Sequence, residues 1–277
     1  MLVSEAAPGI TPRVIGASES DVGSILFLEP FIGDQIVTSG RDGLEKVARS
    51  LAQIQTRFKF EGDHSSSVKT TETCNVQAAF AFCKDQILSN FENVWESDRE
   101  RKLSIAFCGT IAEIKPLLNS VERTLPKWID QVQQSKLPLS IHHGDLHAGN
   151  AIVQPNGTAL IFDWENGSVA HPFFSMEKLL TSAWELDVGA TGGPWGYLRR
   201  TPSQDFLREV YLQEFGLEET EHRRAFDAAM CLATILEMEH EIQWAHICDW
   251  PDSNPEWTAQ LLNRLKHHMD LAIFPKP

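Results

Sequence analysis

Asp145, Asn150 and Asp163 supply two carboxylates and one amide oxygen from a stretch of 19 residues. Oxygen donors of this kind suit a hard cation such as Mg2+, which takes one or two carboxylates and completes its shell with phosphate oxygens and water. Asn150 and Asp163 are the candidate metal ligands. Asp145 is then a separate carboxylate, able to orient an acceptor hydroxyl and take its proton. The chemistry that needs this set is transfer of the γ-phosphoryl group of ATP to a hydroxyl. His143 and His147 flank Asp145. Each can pin loop backbone through its ring nitrogens, a reading preferred over metal ligation, while His142 has no assigned role. Glu165 either assists the metal or is a surface carboxylate, and Trp164 is expected in the core.

These groups need elements that bring them together. Ala151-Ile152-Val153 and Ala159-Leu160-Ile161-Phe162 flank Gln154-Pro155-Asn156-Gly157-Thr158, and Asn-Gly between apolar runs signals a β-hairpin. A hairpin joins its own ends, so Asn150 before the first strand and Asp163 at the end of the second should face each other, with Asp145 one loop away. Leu139 to His142 is another short β-prone run. Upstream, Arg13-Val14-Ile15-Gly16 and Ser24 to Glu29 predict a small hairpin around a turn-rich Ala17 to Gly23, and Phe31-Ile32-Gly33 leaves it as a linker. Leu44, Val47, Ala48, Leu51 and Ile54 mark one helical face, with Asp42 as N-cap. Val76, Phe80, Cys83, Ile87 and Phe91 mark a helix over 74–95. A third helical region is expected over 103–135, broken at Pro116 and Pro126. Helices over 173–186, 203–215, 221–248 and 255–272 follow, with 61–73 and 190–202 as loops.

The run His143-Gly144-Asp145-Leu146-His147-Ala148-Gly149-Asn150, followed by Ile161-Phe162-Asp163-Trp164-Glu165, resembles the aminoglycoside phosphotransferase family, with choline kinases and homoserine-kinase-like enzymes as similar relatives. An Asp five positions before a metal-binding Asn is the spacing of the kinase catalytic loop. The resemblance is tight over 139–180 and loose over 10–58. It implies an α+β, protein-kinase-like bilobal fold, with a reduced β small lobe and a mainly helical large lobe built round a central catalytic hairpin. Residues 1–38 would be the remnant of the nucleotide-binding small lobe and hinge, and residues 39–277 the helical catalytic large lobe. It implies ATP between the lobes, Asp145 as catalytic base, and Asn150 and Asp163 on Mg2+. The run Ile25 to Gly33 resembles the last small-lobe strand and the hinge that meets adenine through its backbone. Glu29, Phe31 and His143 thereby join Asn150 and Asp163 as nucleotide-binding residues.

Upstream of the hinge the chain departs from the family pattern. There the family carries a phosphate-covering loop and a lysine that grips the nucleotide phosphates. Here 25 residues precede Leu26, none is a lysine, and the first lysine is Lys46. Gly9 and Gly16 form no Gly-rich loop, and Arg13 is the conceivable substitute. The alternative to an active phosphotransferase is therefore a catalytically impaired, truncated kinase-like protein acting as a nucleotide or metabolite binder or an interaction module. A metal-dependent phosphoesterase fits less well. Gly144-Asp145-Leu146-His147 resembles that family's Gly-Asp-x-His-Gly, but Ala148 follows and no upstream Asp-x-His pair supplies a first metal.

Bulk properties agree with a soluble, cytoplasmic enzyme. The 277 residues carry 24 Lys and Arg against 38 Asp and Glu, a net charge of −14. That surface disfavours nucleic acid and anionic lipid and suits a small hydroxyl acceptor that is cationic. No apolar run reaches the ~20 residues of a membrane span, and Met1 to Ile10 lacks the basic start of a signal peptide. The 5 cysteines are widely spaced and read as buried thiols. Glu237 and Glu241 share a helical face, read as a solvated acidic face rather than an amine-binding one, and Trp244, Trp250 and Trp257 read as core.

Overall fold

A computed structural model describes residues 8–20, 23–60, 75–93, 111–189, 200–217, 219–247 and 255–273. The chain forms two compact units. The first, here the site unit, comprises Met1–Thr70, Pro138–Asp187 and Thr201–Glu218; the second, the helical unit, comprises Thr71–Leu137, Val188–Arg200 and Glu219–Pro277.

In the site unit, β1 (Val14–Ser20) and β2 (Gly23–Leu28) form an antiparallel hairpin. Its strands run further into the expected turn than the Gly and Ser content suggests, because Ala17 to Ser20 find partners in Leu26 to Gly23. The chain then passes through Glu29–Gly33 into the two-residue β3 (Asp34–Gln35), which pairs with β5 (Ala151–Val153). β5 pairs in turn with β6 (Ala159–Ile161), giving the order β3-β5-β6. The free edge of β6 is met by the N-terminal segment, where the Ile161 N–H donates to the Ile10 carbonyl at 2.7 Å. β4 (Ser140–His142) pairs with β7 (Ser168–Ala170), a strand and pairing that sequence patterning missed.

Helix α1 (Ile36–Arg57) backs the β5–β6 hairpin. Its buried face is the one the 3.6-residue period marks: Leu44, Val47, Ala48, Leu51 and Ile54 are all at most 2% exposed. Each fully buried aliphatic side chain of this kind stabilises by about 1.5–3 kcal/mol. Gly40, at φ 59° and ψ −141°, is non-helical and joins two helices end to end within this span, so the longer one begins beside Asp42, with Gly40 and not Asp42 at the junction. Asp42 takes a helical-turn ion pair with Lys46 at 2.6 Å. α4 (Met176–Val188) and α5 (Pro202–Glu214) complete the unit, and α5 carries a capping box between Thr201 and Gln204.

The helical unit consists, among its described residues, of α2 (Asn75–Asn93), α3 (Ile111–Gln134), α6 (Thr220–Ile247) and α7 (Pro255–Ile273). α2, α3 and α7 all pack on α6, whose residues 225–235 are buried without interruption. A helix that is apolar all round belongs inside its own bundle. Pro116 and Pro126 do not break α3. Both are exposed, so water can serve the carbonyls that lose their N–H partners. Cys83 and Cys231 are buried free thiols. The loops expected over 61–73 and 190–199, the start of the third helical region, Cys74, Cys108, Cys248 and the side chains of Trp244, Trp250 and Trp257 lie outside the described residues. No described helix is long and apolar enough to cross a membrane.

Candidate active site

Every candidate site residue belongs to the site unit. The loop between β4 and β5 carries Asp145, and its backbone is held from several sides. Gly144 turns at φ 81°, and a Cβ there would collide with the Asn166 carbonyl, so the position needs glycine. Leu146 is 1% exposed and anchors the loop in the core. The Asn150 amide nitrogen donates to the Asp145 carbonyl oxygen at 2.8 Å and to its carboxylate Oδ2 at 3.3 Å. His147 accepts the Gly149 N–H on Nδ1 at 3.0 Å, capping the 3-10 turn Ala148–Asn150. The Ala148 N–H donates to Ser182 Oγ of α4 at 3.0 Å.

His143 is fully buried. Its Nε2 lies 2.8 Å from the Phe162 carbonyl, and its Nδ1 accepts the Asp145 N–H at 3.3 Å. That pair of bonds defines a neutral ring with the proton on Nε2. Burial holds its pKa below the usual histidine value, against the opposing pull of the Phe162 carbonyl and the Asp145 and Asp163 carboxylates. Both ring nitrogens are thus occupied by the loop itself, the loop-holding role that its type and place allowed. Trp164 lies over this ring, with centroids 4.4 Å apart, and its indole N–H donates to the Ile161 carbonyl at 3.1 Å. It is half-buried, not a core residue, because its task is to cap His143.

A second layer holds the brace. Ser175 Oγ accepts the His143 N–H at 3.1 Å and lies 3.0 Å from His142 Nδ1, which gives His142 its place. Gln55, 1% exposed on α1, donates to Ile141 and Pro172 carbonyls at 3.0 and 2.8 Å and reaches Ser175 Oγ at 3.3 Å. The Tyr211 hydroxyl of α5 donates to the Gln55 amide oxygen. Gln55 was read only as part of a helix; a polar side chain inside an otherwise apolar helical face was its signal.

On the hairpin, Ala151 pairs with Ile161, and the Phe162 N–H donates to the Asn150 carbonyl at 3.0 Å. Asp163 follows directly, exposed and at φ 64°. A left-handed backbone is uncommon outside glycine and asparagine and is found at functional positions. Among the described residues no hydrogen bond or ion pair takes up the Asp163 carboxylate, and the Asn150 side chain is engaged through its nitrogen, which leaves its Oδ1 unengaged. No group of three or more His, Cys, Asp or Glu side chains among the described residues could hold a metal. An amide and a carboxylate oxygen fit a cation that keeps water and phosphate in its shell, as Mg2+ does, and not a closed structural zinc site.

The hinge run meets the same hairpin. Phe31 packs on Phe162 with ring centroids 5.2 Å apart. Ile32 is 80% exposed. Among the described residues no hydrogen bond engages the backbone of Phe31 or Ile32. The Glu29 N–H, by contrast, is spent on the Arg13 carbonyl at 2.8 Å, and the Glu29 side chain lies 3.8 Å from Arg13. A cleft of about 850 Å3 is lined by Arg13, Glu29, Phe31, Gln154 and Leu160 with their neighbours.

Sequence reading missed Lys178. Its ammonium is 2.8 Å from Asp145 Oδ1, with the His147 ring 3.8 Å from Oδ2. Lys178 sits in the first turn of α4, where the helix dipole disfavours a cation. A residue that breaks a local rule is the signal that was available.

The family model described as the phosphotransferase enzyme family matches residues 11–226. An aminoglycoside phosphotransferase from Alicyclobacillus acidocaldarius has a similar structure, with TM-score 0.61 and 13% identity, covering 97% of this chain and 79% of its own. A choline/ethanolamine kinase family protein from Mesorhizobium loti gives TM-score 0.59 and 14% identity, over 99% and 77%. Choline kinase from Cryptosporidium parvum gives 0.54 and 11%, over 95% and 75%. These likenesses establish the protein-kinase-like α+β fold. No curated protein matches the sequence.

Proposed function

Because the chain belongs to the phosphotransferase enzyme family, we propose that it moves the γ-phosphate of ATP to a hydroxyl of a small molecule. The observation that carries this reading is the division of labour in one loop and hairpin. Asp145 is clamped by Asn150, His147 and Lys178, while the oxygens of Asn150 and Asp163 are left for another ligand. Asn150 and Asp163 would hold Mg2+, which when bound neutralises charge on the nucleotide phosphates. Phe31 and the unengaged hinge backbone support adenine binding at the other end, so that residues 1–38 serve as the nucleotide-facing segment.

In the step itself the acceptor oxygen forms a bond to the γ-phosphorus. The bond from that phosphorus to the β,γ-bridging oxygen breaks, and its electron pair leaves with ADP. Asp145 orients the acceptor hydroxyl and takes its proton. His143 keeps the Asp145 backbone fixed, and the neutral ring suits that task because protonation of Nδ1 would remove the acceptor for the Asp145 N–H. The acid surface supports an amine-bearing acceptor of the choline, homoserine or aminoglycoside kind.

The test pairs calorimetry with transfer of labelled γ-phosphate to choline, ethanolamine, homoserine and aminoglycosides. Wild type is expected to bind ATP only with Mg2+ and Asp163→Asn to lose that dependence. Asp145→Asn should bind Mg·ATP and lose about 10²–10⁴ in turnover. Substantial residual transfer in Asp145→Asn removes it as base. A folded wild type that binds Mg·ATP and phosphorylates none of these acceptors supports the nucleotide-binder alternative.

A further inference from the structure

We infer that Lys178 is the cation of the reacting centre, holding the base and neutralising the transferred phosphoryl group together. The inference rests on the phosphotransfer reading above. Lys178 is paired with the candidate base itself, at 2.8 Å from Asp145 Oδ1. Its side chain is 21% exposed and that of Asp145 is 29% exposed, so the pair is partly shielded from water. Its position is built rather than accidental. Ser182, one helical turn further along α4, accepts the Ala148 N–H, so the same helix face that presents Lys178 is fastened to the Asp145 loop.

The chemistry supplies the reason. A carboxylate base must sit beside a phosphoryl group whose equatorial oxygens carry negative charge in the transition state. Two anions at that separation repel unless a cation lies with them. An ammonium has three N–H donors, so it can keep Asp145 Oδ1 and a phosphoryl oxygen at once. Lys178 stays protonated throughout; the acceptor proton still goes to Asp145. Of the other cations of the site unit, Lys46 is paired with Asp42, Arg49 with Glu45 and Glu214, and Arg13 with Glu29 at the hinge. Lys178 would thus act at the γ end of the nucleotide and not at the α and β phosphates.

The test is the ratio of affinities for Mg·β,γ-imido-ATP and Mg·ADP, measured by calorimetry on the full chain. Wild type should favour the triphosphate. Lys178→Met should lose about tenfold or more of that preference, the worth of a charge-assisted hydrogen bond, with ADP affinity changed less than about twofold. Lys178→Arg should retain most of it. Asp145→Asn should raise triphosphate affinity by removing the anion that competes with the phosphoryl group for the ammonium, and should fail to do so in a Lys178→Met background. Equal losses for both nucleotides in Lys178→Met, or an unchanged ratio, overturn the inference while leaving the phosphotransfer reading standing. A folded wild type that binds neither nucleotide overturns both.

Discussion

In the helical unit, α6 is buried from residue 225 to residue 235, and the helices packed on it bury Val76, Phe80, Leu118, Val121, Leu262 and Leu265. In the site unit, the loop that carries Asp145 is held mainly by side chains bonding to backbone: Asn150 to Asp145, His143 to Phe162, Ser175 to His143, Gln55 to Ile141 and Pro172. Apolar packing is non-directional and tolerates exchange of one aliphatic residue for another. A hydrogen bond fixes direction, and a buried partner left alone costs more than the bond contributed. The two regions should therefore answer mutation differently: the helical unit in stability, the site unit in loop geometry first.

The largest effect tests the exception inside the helical unit, its one ion pair with both partners deeply buried among the described residues. Arg200 and Asp227 lie 3.1 Å apart with side chains 7% and 6% exposed. Removing one member takes from the other its oppositely charged neighbour in a low-dielectric interior, at a cost of about 3–5 kcal/mol. Asp227→Ala should lower the stability measured by urea unfolding by that amount and leave the Mg·ATP affinity of the folded protein unaltered. A large change in affinity with little loss of stability would join Asp227 to the site and dissolve the contrast.

How much of this was legible beforehand follows the same divide. Period and turn chemistry located α1, α2, both hairpins and the helices after Pro172, because each is specified by residues near in sequence. Asp145, Asn150 and Asp163 were legible because their spacing lies within one loop and one hairpin. The braces were not. Ser175 reaches His143 across 32 residues of chain, Lys178 reaches Asp145 across 33, Gln55 reaches Ser175 across 120 and Tyr211 reaches Gln55 across 156, and no local pattern encodes a partner that distant. His143 was legible as a residue able to pin the loop, and only the fold shows which groups take its two nitrogens, the Phe162 carbonyl and the Asp145 N–H. The period from Leu44 marked only the longer of the two helices that meet at the non-helical Gly40, because the piece before it is about one turn long.

A pH titration sharpens the comparison next. His171, the residue capping the 3-10 turn Pro172–Ser175, is buried against Phe173 and Phe174, and burial pushes its pKa down from 6.5 to about 3. The unfolded chain binds a proton below about 6.5 where the folded chain does not. Stability is therefore full above that pH and falls as the solution is acidified toward 3, by about 2–3 kcal/mol at pH 4.5. His171→Asn keeps a capping side chain and removes the titration, so its stability should decline less over pH 7 to 4.5 by that margin. Parallel pH profiles for the two proteins would clear His171 of this role.

The smallest effect is the most diagnostic, because it separates geometry from stability within one side chain. Tyr211 is fully buried, and burial pushes its phenol well above its ordinary pKa, so the hydroxyl remains a donor to the Gln55 amide oxygen. Gln55 then serves Ile141, Pro172 and Ser175, and Ser175 accepts the His143 N–H. Tyr211→Phe keeps the ring, which packs on Phe173 and Phe215, and deletes the hydroxyl that both Gln55 Oε1 and the Pro172 carbonyl can accept from, at about 1–2 kcal/mol. If direction is what the network provides, amide hydrogen exchange should quicken over Ile141 to His147 by more than this stability loss requires, while α6 keeps its protection. Exchange that quickens uniformly in both units would mean that the hydroxyl contributes to global stability alone, and that the loop takes its shape from packing as the helical unit does.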